Sequence, residues 1–236
     1  MMSMAKKIVI AMVVGFVMVQ AASALPVTFY RVDGYYSGNG GEFTAIGTPY
    51  VGAYDSSATA TIPSGATGFQ TFCLELNESL SFGTLYDYPG LENAAVQGGL
   101  GGGSPDEISW GTAWLYSQFA AGSLAGYDYT PGASRSSSAG LLQQAIWWLE
   151  HEVSLGNPGG NAFIAAAIAQ FGSEDDARAS AVAGAYGVHV INPVNNQAAD
   201  RQSVLVVVRV ADGGLTLFLL GSGVMTCVAL RRKLAA

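Results

Sequence analysis

Cys73 is the only cysteine between residues 25 and 210; the other, Cys227, sits in an apolar run near the C terminus. A lone cysteine makes no intramolecular disulfide, so in an oxidising compartment it must be buried, reactive or paired between chains. Residues 69–77 alternate as a strand does. Phe72, Leu74 and Leu76 point one way, and Thr71, Cys73 and Glu75 the other. A cysteine kept only for packing more often shares the apolar face, so this placing points toward thiol chemistry. His151 and His189 are the imidazoles available as a base beside a thiol nucleophile, though nothing in the sequence fixes their geometry. Glu150 and Glu152 stand two apart on a helical stretch and diverge, so they do not form an acid pair. The acidic run at 173–176 reads as a solvated helix start, since calcium-loop spacing is absent. The glycine-rich loop 98–103 is not followed by Lys-Ser/Thr, so it is no phosphate loop. Tyr35, Tyr36, Tyr86, Tyr88, Tyr127 and Tyr129 offer rings that could stack on sugars.

The elements that must position these groups follow from periodicity and punctuation. A first strand is expected over 27–32, then a turn-rich stretch over 34–47. The 69–77 strand takes 84–88 as its expected hairpin partner. Helical spacing runs over 106–124. A stronger helix follows over 138–153, capped by Ser138 and ended by Gly156-Asn157-Pro158. On it Leu142, Ile146, Leu149 and Val153 form a core stripe, while Gln143 and Trp147 share the neighbouring face. Two more helical stretches cover 161–171 and 173–186, and closing strands cover 188–192 and 203–210. Strands, then helices, then strands predict an α+β fold: antiparallel strands flanking a central group of helices.

Of the 236 residues 50% are hydrophobic, enough for a sizeable core, while only 11% are charged against a norm of roughly 25%. A net charge of -7 disfavours nucleic acid, which requires clustered Lys and Arg. Two cysteines exclude a disulfide scaffold or a cysteine-built zinc site, and no metal or cofactor is expected.

Both ends read as address labels. Lys6 and Lys7, the apolar run from Ile8 to Val19 and the Ala22-Ser23-Ala24 site predict a secretory signal helix over 1–24, before the exported domain at 25–209. Residues 215–230 are apolar and are followed by Arg231, Arg232 and Lys233, which predicts a C-terminal transmembrane helix with a cytoplasmic basic tail over 210–236. The preceding Val210-Ala211-Asp212-Gly213-Gly214, with this helix and basic end, resembles the PEP-CTERM sorting signals of the Val-Pro-Asp-Ser/Gly-Gly type, with Ala211 in place of the Pro. That resemblance implies the secretion machinery and an exosortase-type transpeptidase as partners. It also implies transient anchoring in the inner membrane, then release to the cell envelope or outside it, in the company of exopolysaccharide or surface proteins. The primary expectation is therefore a non-enzymatic, exported envelope or extracellular-matrix protein with a structural or interaction role.

A second resemblance concerns the chemistry. Phe72-Cys73-Leu74 and Gln143-Gln144-Ala145-Ile146-Trp147 resemble the two signature pieces of bacterial surface thioester domains, with Leu142 where a Thr commonly precedes the Gln. It implies that Cys73 and Gln143 condense with loss of ammonia, inside a pocket walled by Phe72 and Trp147. The product would be a covalent adhesin that acylates a partner amine. Sulfur is the better leaving group, and an apolar wall keeps water from it. The absence of lysine between residues 25 and 210 suits a chain carrying a lysine-seeking electrophile. A secreted hydrolase is the remaining alternative, without an acid–base constellation to support it.

Overall fold

The computed structural model describes residues 25–38, 40–47, 58–194 and 202–208. Five strands open the fold: β1 (Leu25–Tyr30), β2 (Phe43–Gly47), β3 (Thr59–Thr61), β4 (Thr67–Thr71) and β5 (Leu85–Tyr88). They form one antiparallel sheet in the order β3-β4-β2-β1-β5. In β1 and β5 alternate side chains, Val27, Phe29, Tyr86 and Tyr88, are buried, as expected where one sheet face meets the core. Next come the short strands β6 (Leu91–Glu92), β7 (Ala94–Ala95) and β8 (Asp106–Glu107). The helices α1 (Trp110–Ala120), α2 (Ala133–Leu149), α3 (Ala162–Phe171) and α4 (Glu174–Arg178) follow, and β9 (Val188–Ile191) and β10 (Val204–Val207) end the described chain. β10, β9 and β6 make a second antiparallel sheet, and β7 pairs with β8. The α+β class, with antiparallel strands before and after the helices, is therefore present.

After β4 the chain leaves the first sheet and runs beside β10. Leu205 N donates to Phe72 O (3.3 Å) and Leu74 N to Ser203 O (3.0 Å). The Tyr116 hydroxyl of α1 lies 2.9 Å from both Gln70 O and Leu205 O, fastening this seam from the helical side. Phe72 and Leu74 enter the core formed by α1, α2 and α3, with Phe72 edge-on to Phe119 at 5.0 Å. Cys73 is thus held between two sheets and a helical layer, and both faces of its segment are buried.

Several expectations are corrected. Helix α2 begins at Ala133 rather than at Ser138, whose hydroxyl instead accepts from Asp128 N. Residues 106–107 are strand, and α1 starts after Ser109, whose side chain caps Thr112 N. The stretch 173–186 is α-helical only over α4, with a short 3-10 turn at Ala185–Gly187, and between them Ala181 N turns to Ile108 O at 2.8 Å. β5 pairs with β1, not with the 69–77 segment. The expected transmembrane helix is not supported: among the described residues no helix is long and apolar enough to cross a membrane. The signal segment 1–24 and the sorting segment 210–236, with Val210, Ala211, Asp212, Gly213 and Gly214, lie outside the described residues.

Candidate functional site

The Gln143 carboxamide of α2 lies directly on the Cys73 backbone. Its Oε1 accepts from Gly41 N (2.9 Å) and from Cys73 N (3.0 Å), and its Nε2 donates to Cys73 O (2.8 Å). Both residues are buried, Gln143 at 2% and Cys73 at 7% exposure. The pair implied by sequence resemblance, 70 residues apart in the chain, is therefore in contact. The carbonyl oxygen of the amide faces two backbone N–H groups, the arrangement that stabilises negative charge on an oxygen during acyl transfer.

Glycine makes that arrangement possible on the loop side. The turn closes with Ser37 N donating to Gly41 O, and the loop lies flat on α2. A Cβ on Gly40 would stand 2.5 Å from Gln143 Cγ and 2.8 Å from the Trp147 ring, and one on Gly41 would stand 2.3 Å from Phe72 Cδ1. Only bare backbone approaches this closely. Gly40 and Trp147 separate two cavities. One, of ≈ 400 Å³, opens on Gln143; the other, of ≈ 370 Å³, opens on Cys73 and carries Tyr36, Phe43, Phe82, Arg31 and Glu78 on its walls. Arg31 lies 4.3 Å from the Tyr36 ring and 4.1 Å from the Phe82 ring. Trp147 borders both cavities, and the buried Phe72 packs under Gly41 on the core side.

Burial pushes the Cys73 thiol well above its ordinary range. The Gly41 N–H opposes this, while Glu78 and Glu75 add to it. The sulfur is therefore a neutral thiol at neutral pH. Among the described residues no imidazole hydrogen-bonds to it. His151 Nδ1 stands 2.7 Å from Arg178, and His189 lies on β9. The thiol–imidazole arrangement is thus not assembled. Of the tyrosines offered for sugar stacking, Tyr86 and Tyr88 are in the core, Tyr35 lies against Arg135, Tyr127 and Tyr129 pack on Phe119, and Tyr36 lines the Cys73-side cavity.

Glu150 and Glu152 diverge. Glu150 accepts from Ser109 N and Oγ (3.1 and 2.7 Å). Glu152 accepts from Leu76 N, Leu100 N and Gly101 N, pinning the glycine-rich loop. Beside it Glu75 is 1% exposed, and its Oε2 has no hydrogen-bond partner. Burial first, then the Glu152 carboxylate, pushes Glu75 up to about 9, from an ordinary 4.5. Burial likewise raises Glu150 to about 7. The folded chain keeps protons that the unfolded chain releases, so this stability is full below about pH 4.5 and is lost as the pH rises toward 9. The thermal midpoint is expected to fall between pH 5 and pH 9. Glu75→Gln should raise the midpoint at pH 9 by about 3 °C or more relative to wild type. Identical midpoints for the two proteins at pH 9 would refute the assignment.

Sequence reasoning missed Gly40, Gly41 and Glu42; the run of glycines before Glu42 was its one visible sign. No protein-family model matches the chain, and neither does any curated protein or solved structure.

Proposed function

We propose that this is an exported surface protein that forms an internal thioester between Cys73 and Gln143 and uses it to acylate an amine on a partner, joining the two covalently. The observation that carries the reading is the pair of N–H groups, from Gly41 and Cys73, on Gln143 Oε1. As Cys73 Sγ adds to Gln143 Cδ, that oxygen gains negative charge, and both donors already point at it. The C–S bond forms and the C–N bond breaks. Nε2 leaves as ammonia, carrying the thiol proton. A partner amine then attacks the same carbon through the cavity that opens on Gln143; an amide forms, and sulfur takes the amine's proton and departs as a thiol. One molecule reacts once, so this is stoichiometric acyl transfer rather than turnover.

The lysine-free stretch between residues 25 and 210 supports the reading, because it holds no internal lysine to consume the electrophile. The signal-like N terminus and the sorting-signal resemblance at residues 210–214 support a cell-surface destination, with an exosortase-type transpeptidase as the processing partner.

Intact mass of the mature protein tests the proposal. Wild type is expected to be one ammonia lighter than its sequence and to gain one methylamine on incubation with that amine. Cys73→Ser is expected at full mass and inert. A wild-type chain at full mass with a free thiol at Cys73 would sink the proposal. Gln143 would then be a structural clasp, and the chain would revert to a matrix-binding or structural role.

A further inference from the structure

The residue after Gly41 is Glu42, and it is completely buried. Arg135 of α2, at 4% exposure, grips it with both arms of its guanidinium: Nε donates to Oε2 at 3.0 Å and Nη2 to Oε1 at 2.5 Å. The Tyr127 hydroxyl donates to Oε2 at 2.6 Å, and Arg135 Nη1 donates to Tyr129 O. The guanidinium also lies 4.1 Å from the Tyr35 ring. Every side-chain polar atom of the pair thus has a partner.

A buried ion pair of this kind is a poor source of net stability. Removing two charges from water costs several kcal/mol each, and apolar replacements of similar volume are often as stable. What a two-armed arginine–carboxylate contact does supply is direction. Here the direction matters, because Arg135 and Gln143 stand on the same helix, little more than two turns apart. Loop and helix are fastened at Glu42 by the ion pair and at Gly41 by the N–H on Gln143 Oε1, with no residue in between.

We infer that the buried Arg135–Glu42 pair is a positioning element that aims the Gly41 N–H at Gln143 Oε1 and thereby sets the rate at which the thioester closes. The inference rests on the thioester reading. Neither residue touches the reacting atoms; each acts through the backbone of Gly41.

Closure can be timed in the folded protein. Excess ammonia opens the thioester: its nitrogen bonds to the acyl carbon, sulfur takes a proton, and Gln143 and the thiol are restored. When ammonia is removed, the ammonia-light mass returns at a measurable rate. Arg135→Lys keeps the charge but loses the fork, and is expected to slow the return on the order of tenfold or more. Tyr127→Phe, which removes one hydroxyl from Glu42, should slow it a few-fold, roughly. Arg178→Lys, at the exposed pair with Glu174, should leave it unchanged. A purely structural role would lower the thermal midpoint without changing closure among folded molecules. Folded Arg135→Lys closing at the wild-type rate overturns the inference. If that variant does not fold, Tyr127→Phe decides, and an unchanged rate overturns it equally. A wild type that never shows the ammonia-light mass removes the thioester reading itself, and this inference with it.

Discussion

Gln143→Glu is expected to abolish amine capture and to lower folding stability by about 3 kcal/mol at neutral pH, the size associated with a buried group that loses its partner and carries a charge. The substitution is nearly isosteric. Its first oxygen inherits the Gly41 and Cys73 N–H groups, but its second replaces Nε2, which now donates to Cys73 O at 2.8 Å. An ionised carboxylate sets oxygen against oxygen at a position only 2% exposed. The protonated acid instead offers an O–H to Cys73 O. Folding therefore favours the neutral form, and the introduced carboxyl titrates above its ordinary range. By linkage, the deficit should be small below about pH 4 and should grow as the pH rises through the raised value. Urea unfolding at pH 4 and at pH 7.5 checks both parts. A variant as stable as wild type at pH 7.5 would mean that the Gln143 clasp is not formed.

The segments most readable in the sequence were those whose partners are close along the chain. Asn161 caps α3 as its residue type suggests, accepting from Phe163 N and Ile164 N, and β9 and β10 lie where their apolar runs place them. Gln143 and Trp147 share a face because they are four residues apart on one helix, which periodicity alone shows. What could not be read depends on distant contacts. The start of α2 is a serine-rich turn after Gly132, which offers no side-chain cap, and there burial of Arg135 and Ser138 outweighs weak helix propensity. β2 hides inside a turn-rich stretch because its pairing partners are β1 and β4 rather than a hairpin of its own. Glu42 is a single acid with no periodic signature, and its partner lies 93 residues away. The Cys73–Gln143 pair was thus visible through side-chain types, while the backbone donors on Gln143 Oε1 were not, because N–H groups leave no mark in a sequence.

Those donors can be tested without touching Cys73 or Gln143. Gly41→Ala is expected to lower stability by about 3 kcal/mol, near the upper end for overpacking a rigid core, and to slow thioester closure on the order of a hundredfold. The added methyl would stand 2.3 Å from Phe72 Cδ1. Phe72 cannot retreat: it is completely buried and meets Phe119 edge-on at 5.0 Å. The loop must move instead, and it carries the Gly41 N–H away from Gln143 Oε1, leaving that oxygen a single donor from Cys73. Gly156→Ala is the matched control, because a Cβ there meets nothing within 4 Å. The two effects separate by chemistry. Lost stability appears in urea unfolding, whereas the lost donor appears in the closure rate of molecules that are folded. A Gly41→Ala protein that is destabilised but closes its thioester as fast as wild type would show that the Cys73 N–H alone suffices, and that the approach of the loop serves packing rather than catalysis of its own acylation.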